Sequence, residues 1–169
     1  MLDDFGRIGG SNILEVQTKN AVLPKNGSFE QLENETPLFW ELSSLANTPN
    51  RIFATNETSS EGLYSIRIDS DNVQADSLIS QEIPGNLIAA GGEYRLLFDY
   101  KTAESFNVDI YLLEIETYNL DAQDEWTEYT FDFKIPEDFN QGTLTFRLGF
   151  HDFDIIKANI DNIRIEKLN

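Results

Sequence analysis

From about residue 21 onward, apolar and polar residues alternate with a period of two. The clearest run is 127–134, where Tyr129, Phe131 and Phe133 alternate with polar neighbours. Similar alternation is present in 94–101, 108–113, 143–150 and 162–165. Side chains of a β-strand point alternately to its two faces, so each run predicts a strand with one buried face.

Turn-forming residues separate these runs: Asn26-Gly27, Pro84-Gly85, Gly91-Gly92, Pro136 and Gln141-Gly142. No window of a dozen residues has a helical period. Seven or more strands without helical crossovers predict an all-β fold, an antiparallel two-sheet β-sandwich of the jelly-roll type.

The length of 169 residues suits one domain with a substantial core. Residues 1–20 differ from the rest, because Gly6, Gly9 and Gly10 stand among scattered polar residues. We therefore expect an N-terminal arm over 1–20 and a jelly-roll domain over 21–169.

Acidic residues dominate the charge, with 30 Asp and Glu against 12 Lys and Arg for a net charge of −18. This field repels nucleic acid, anionic membrane surfaces and acidic polysaccharides. Neutral glycans, calcium ions and basic protein surfaces stay compatible with it, and so does a role in solubility alone. The absence of cysteine excludes disulfides and thiolate metal sites. The sequence contains no run of 18 consecutive apolar residues, so it predicts no membrane-spanning helix.

Several motifs resemble the carbohydrate-binding modules attached to xylanases and related glycanases, which have a galactose-binding-like jelly roll. The segment 26–30, NGSFE, is similar to the opening of those modules, and Trp40 follows at a fitting distance. Further similar segments, in order from about residue 24 to 167, are GLYSIRI at 62–68, Gln81 with Ile83, GEYRL at 92–96, WTEYTF at 126–131 and IDNIRI at 160–165.

The resemblance implies that a neutral glycan binds on a concave sheet face, by aromatic stacking and hydroxyl hydrogen bonds. Alternation places several polar side chains opposite the core, and Trp40 in a loop could close one end of the site. Packing in the sandwich is the alternative for Trp40 and for Trp126. The candidate ligand-binding residues are Trp40, Arg67, Tyr111, Arg147 and His151.

The resemblance also implies a structural Ca²⁺ between the first and last strands. Glu30 and Asp161 would supply carboxylates, and backbone carbonyls would complete the shell of six to eight oxygens that calcium requires. The alternative is that Glu30 faces solvent and Asp161 caps a turn.

Catalysis is not expected. One histidine and no cysteine leave no evident nucleophile–base pair, and neither a nucleophile elbow nor a phosphate loop is present. We therefore expect a binding module, extracellular or on a virion surface. The second hypothesis is a virion structural or decoration protein that uses this fold and docks on a neighbouring capsid or tail subunit through its N-terminal arm. It is motivated by Met1, the glycine-containing arm and the absence of a recognisable secretory signal in 1–20.

Overall fold

A computed structural model describes residues 23–44, 51–70, 77–113, 115–139, 142–150 and 156–168. The predicted arm at 1–20 lies outside these residues. The described strands are β1 Leu32–Glu33, β2 Thr36–Pro37, β3 Glu41–Ser44, β4 Arg51–Thr55, β5 Ser65–Ser70, β6 Ser77–Pro84, β7 Glu93–Thr102, β8 Phe106–Tyr111, β9 Ile115–Leu120, β10 Gln123–Lys134, β11 Thr143–Phe150 and β12 Ile156–Lys167.

Two five-stranded sheets form the sandwich, and every strand pair is antiparallel. The first sheet has the order β10-β7-β12-β5-β4, and the second has the order β3-β6-β11-β8-β9. β1 and β2 form a separate small hairpin. A single 3₁₀ turn follows β6 at Gly85–Leu87. The predicted all-β, two-sheet jelly-roll sandwich is confirmed. The described part of the chain contains no helix long and apolar enough to cross a bilayer.

Alternation along the strands builds the core between the two sheets. In β11, Leu144, Phe146 and Leu148 are buried while Arg147 is exposed. Ile66 and Ile68 of β5 are buried in the same way from the opposite sheet. Each such apolar side chain stabilises the fold by about 1.5–3 kcal/mol when it leaves water. Two apolar inner faces joined in this way leave two outer faces for contact with other molecules.

Aromatic rings close the side of the sandwich where the edge strands β9 and β10 meet. Tyr118 packs at 5.3 Å from Phe131 and at 5.9 Å from Tyr129, measured between ring centroids. Phe131 and Phe133 are nearly parallel, with an interplanar angle of 8°. The predicted alternation in 127–134 is therefore confirmed, and its aromatic side faces inward.

The turn before β1 is pinned to the last strand. The Gly27 carbonyl accepts a hydrogen bond from Ile163 N at 2.9 Å, and the Leu23 carbonyl accepts one from Ile165 N. A Cβ on Gly27 would lie 1.8 Å from the Ile163 carbonyl oxygen. Only glycine allows the two backbones to approach this closely.

Gly27→Ala should therefore destabilise the fold by more than about 2 kcal/mol, because the added methyl meets rigid backbone. Denaturant unfolding followed by circular dichroism measures the loss. The adjacent Ser28→Ala is the control and should change the unfolding free energy by less than about 0.5 kcal/mol. Equal effects from both substitutions would contradict this account of the turn.

Candidate functional site

A row of polar side chains crosses the outer face of the second sheet. Tyr111 of β8 is opposite Arg147 of β11, Arg147 is opposite Ser80 of β6, and Ser80 is opposite Glu41 of β3. The residues beside them along the strands, such as Leu148 and Ile110, are buried in the core, so the row faces away from it. The structure thus brings the predicted residues Tyr111 and Arg147 together on one face.

A buried carboxylate holds Tyr111 in this row. Asp109 is nearly inaccessible to solvent although it lies on the outer face. Its Oδ1 accepts a hydrogen bond from Thr117 Oγ1 at 2.6 Å, and its Oδ2 accepts one from the Tyr111 hydroxyl at 3.3 Å. These bonds orient the phenol on the outer face.

The row ends in a groove of about 420 Å³ beside β3 and β6. This volume falls in the range of small-ligand sites, about 300–1,000 Å³. Arg147 lines one part of the groove, and it makes no hydrogen bond or ion pair with any residue that the structure describes. The other charged side chains of the lining are Lys25, Glu41 and Glu82.

The exposed aromatic of the groove is Phe39, not Trp40. Trp40 is only 6% exposed, packs against Phe29 and Phe146, and donates its indole N–H to the Asn26 carbonyl at 2.9 Å. Phe39 is 54% exposed in the same groove. The expectation that Trp40 closes the site is therefore corrected: its ring is packed in the core, although Trp40 is one of the residues along the groove.

The backbone of Phe39 explains why the two neighbouring rings point in opposite directions. Its φ of 73° lies in the left-handed region, which bulky residues rarely adopt and which costs about 1–3 kcal/mol. Flanking bonds hold this turn, from Leu38 N to the Gln31 carbonyl at 2.8 Å and from Asn26 Nδ2 to the Leu38 carbonyl at 3.1 Å. Lys25 Nζ lies 5.1 Å from the Phe39 ring centroid. The sequence shows two adjacent aromatic residues, Phe39 and Trp40. It does not show which ring faces solvent, because side chains in a turn do not follow the alternation of a strand.

Two predicted site residues do not join this groove. Arg67 lies on β5 of the first sheet, where it is opposite Asn159 and donates a hydrogen bond from Nη1 to Asn159 Oδ1 at 2.7 Å. It faces away from the core on the opposite side of the sandwich, so the expectation of one shared face for Arg67, Tyr111 and Arg147 is wrong. Alternation predicted that Arg67 faces outward, but it could not assign the strand to a sheet. His151 lies outside the described residues.

The predicted metal ligands Glu30 and Asp161 hold one loop, residues 56–64. Glu30 Oε1 accepts hydrogen bonds from Leu63 N and Tyr64 N, both at 2.9 Å. Asp161 is fully buried, and its Oδ2 accepts bonds from Ser60 N at 2.8 Å and from Glu61 N at 3.3 Å. The two carboxylates thus tie the loop to the first and last parts of the domain.

A second carboxylate shares the Ser60 hydroxyl with Asp161. Ser60 Oγ lies 2.7 Å from Asp99 Oδ2 and 3.1 Å from Asp161 Oδ2. The Ser60 hydroxyl therefore lies between two carboxylates and is shared by them. Burial raises the pKa of Asp161 to about 6, although hydrogen bonds from Ser60, Glu61 and Asn162 act in the opposite direction.

The contacts of these two carboxylates bear on the predicted calcium site. Backbone N–H groups point at both carboxylates, whereas calcium is held by oxygen atoms. No group of three or more His, Asp or Glu side chains that could hold a metal occurs among the described residues. Calcium binding at Glu30 and Asp161 stays a prediction.

Comparison with known proteins gives matches in structure alone: no family model and no curated protein matches the chain. A family 61 carbohydrate-binding module, solved with β-1,4-galactotriose, is 14% identical with a TM-score of 0.62, covering 85% of this chain and 96% of that one. The CBM22-1 xylan-binding domain of Paenibacillus barcinonensis Xyn10C is 12% identical with a TM-score of 0.59, covering 85% and 92%.

The enzymatically active domain of tailspike protein 4 of bacteriophage CBA120 is also similar, with 16% identity and a TM-score of 0.66. The match covers 85% of this chain but only 21% of the tailspike chain. Most of the similar structures are carbohydrate-binding modules. The chain therefore has the jelly-roll fold of carbohydrate-binding modules, as its motifs predicted.

Stability should depend on pH through Asp161. Because its pKa is higher in the folded protein than in an unfolded chain, the folded state binds the extra proton. The contribution is present below about pH 4 and is lost as the pH rises through about 6. In EDTA, Asp161→Asn should remove a dependence of up to about 3 kcal/mol between pH 4 and 7.

Denaturant unfolding at several pH values measures this effect. The control is Asp132→Asn, since a hydrogen bond from Arg95 lowers the pKa of Asp132 and gives a slope of the opposite sign. If added calcium makes the protein more stable as the pH rises, and Asp161→Asn removes that gain, the predicted calcium site is supported instead.

Proposed function

We propose that this chain is a non-catalytic carbohydrate-binding module that takes a neutral glycan in the groove of the second sheet. The observation that carries the proposal is the position of the exposed Phe39 ring beside the polar row of Glu41, Ser80, Arg147 and Tyr111. A sugar presents an apolar C–H face and a rim of hydroxyls. An aromatic platform with hydrogen-bonding groups beside it suits both.

The charges of the groove favour a neutral ligand. Lys25 and Arg147 balance Glu41 and Glu82, although the whole chain carries a net charge of −18. A hydroxyl both donates and accepts hydrogen bonds, so it can use carboxylates and guanidinium groups together. An ionic ligand of either sign would meet a like charge in the groove.

The strained turn supports binding through Phe39. A residue in a rarely populated backbone region persists only where the surroundings hold it, and such positions cluster at ligand sites. Here the strain displays a large apolar ring to water. A ring held in place before binding loses little conformational entropy when a sugar stacks on it.

Similar structures supply the choice of glycans to test. One was solved with β-1,4-galactotriose, another is described as a xylan-binding domain, and a third was solved with a β-1,3-1,4-mixed-linked tetrasaccharide. A module of this kind would act outside the cell or on a virion surface.

Isothermal titration with these three neutral glycans tests the proposal. Phe39→Ala should weaken binding about two- to tenfold, because loss of an aromatic contact costs about 0.5–1.5 kcal/mol. Arg147→Gln should weaken it by a similar factor through lost hydrogen bonds. The control is Phe53→Ala, an exposed aromatic on the other sheet, which should leave affinity unchanged. No binding of any of the three by the intact chain would contradict the proposal.

A virion role is the second candidate function, and similarity to a domain of a phage tailspike favours it. In that case residues 1–20 would dock on a capsid or tail subunit. Deleting 1–20 should then abolish incorporation into particles while the domain keeps its unfolding temperature. Normal incorporation of the truncated chain would rule out docking through the arm.

A further inference from the structure

Three positively charged side chains lie on neighbouring strands of the outer face of the first sheet, apart from the groove. Arg67 of β5 and Lys101 of β7 flank Asn159 of β12, since each is opposite Asn159 in the strand register. Lys157 lies two residues before Asn159 on β12 and so shares its face. We call Arg67, Lys101 and Lys157 the basic patch.

A buried amide orients the arginine of the basic patch. Asn159 is 3% exposed, accepts a hydrogen bond from Arg67 Nη1 at 2.7 Å and donates one to Ser65 Oγ at 3.2 Å. Ser65 Oγ in turn donates to the Thr58 carbonyl at 2.7 Å. This chain of bonds fixes the guanidinium before any ligand arrives, and its other N–H groups make no hydrogen bond to the residues that the structure describes.

None of the three cations makes an ion pair with a described residue. On the same face, Arg95 pairs with Asp132 and Arg164 pairs with Glu128. Asp69 is opposite Lys157 in the register, yet no ion pair joins them. Like charges on neighbouring strands repel one another, and an anion placed between them removes that repulsion.

Aromatic rings flank the basic patch on both sides. Phe53 of the edge strand β4 is opposite Arg67 and is 39% exposed. Trp126 is half-buried in the irregular segment of β10 beside Lys101, where its indole N–H donates to Thr58 Oγ1 at 3.2 Å. An aromatic ring next to a fixed guanidinium suits a ligand that carries both an apolar ring face and a carboxylate.

We propose that the basic patch binds an acidic glycan, one whose sugar rings carry carboxylates. Arg67 takes a carboxylate through paired N–H groups, Lys101 and Lys157 supply further positive charge, and Phe53 stacks on a ring face. The net charge of −18 does not prevent this, because salt screens charges beyond about 8 Å at physiological ionic strength. The site lies on the opposite sheet from the neutral-glycan groove, so either can fail alone.

The experiment titrates the full chain with tetramers of galacturonate, glucuronate, mannuronate and guluronate, each compared with its methyl ester. The ester keeps the sugar and removes the charge. We expect at least one acid to bind, at least tenfold more tightly than its ester, with affinity that falls as salt rises. Phe53→Ala and the double variant Lys101→Gln/Lys157→Gln should each weaken this binding at least tenfold.

Two controls separate the patch from other causes. Lys134→Gln/Lys167→Gln removes the same charge from exposed positions outside the patch and should leave affinity within twofold. Phe39→Ala should also have no effect, whatever it does to neutral glycans. The proposal is overturned if no tetramer binds, if esters bind equally, or if both lysine pairs weaken binding alike. Salt-sensitive self-association lost in the patch variants, without glycan binding, would overturn it in favour of a second copy as the occupant.

Discussion

The organisation of this protein depends on the alternation of side chains along paired antiparallel strands. Once Phe146 and Leu148 are committed to the core, Arg147 between them must face outward, and the same holds for Arg67 between Ile66 and Ile68. Two apolar inner faces meet in one core, so the fold has two separate outer faces. Both proposed sites follow from this arrangement, because each is built from the outward residues of one sheet.

Two carboxylates anchor the loop at 56–64. Glu30 and Asp161 are far apart in sequence, yet both accept backbone N–H groups of this loop. These bonds join the loop to the first and last parts of the domain, and calcium at the same carboxylates stays a prediction. Thr58 of the same loop contacts both Ser65 and Trp126, so the loop also supports the residues around Asn159.

Charge acts locally in this molecule. The net value of −18 excludes nothing on a particular face, since the groove pairs two cations with two acids and the basic patch holds three cations without ion pairs among the described residues. Where acids cluster, as at Asp99 and Asp161, the Ser60 hydroxyl lies within hydrogen-bond distance of both carboxylates, and burial raises the pKa of Asp161. A ligand contacts one face of the protein, so the charge of that face matters more for binding than the net charge of the chain.

The sequence alone predicted several of the strands, with their inward and outward residues, and the jelly-roll class, because apolar and polar residues alternate along a half-buried strand. It also identified Tyr111 and Arg147 as outward residues of what proved to be one face. Only the tertiary structure decided which strands share a sheet, and this separated Arg67 from that pair. It also decided that Phe39 is exposed and Trp40 buried, since the direction of a side chain in a turn depends on backbone dihedrals and on long-range hydrogen bonds such as that from Trp40 to Asn26.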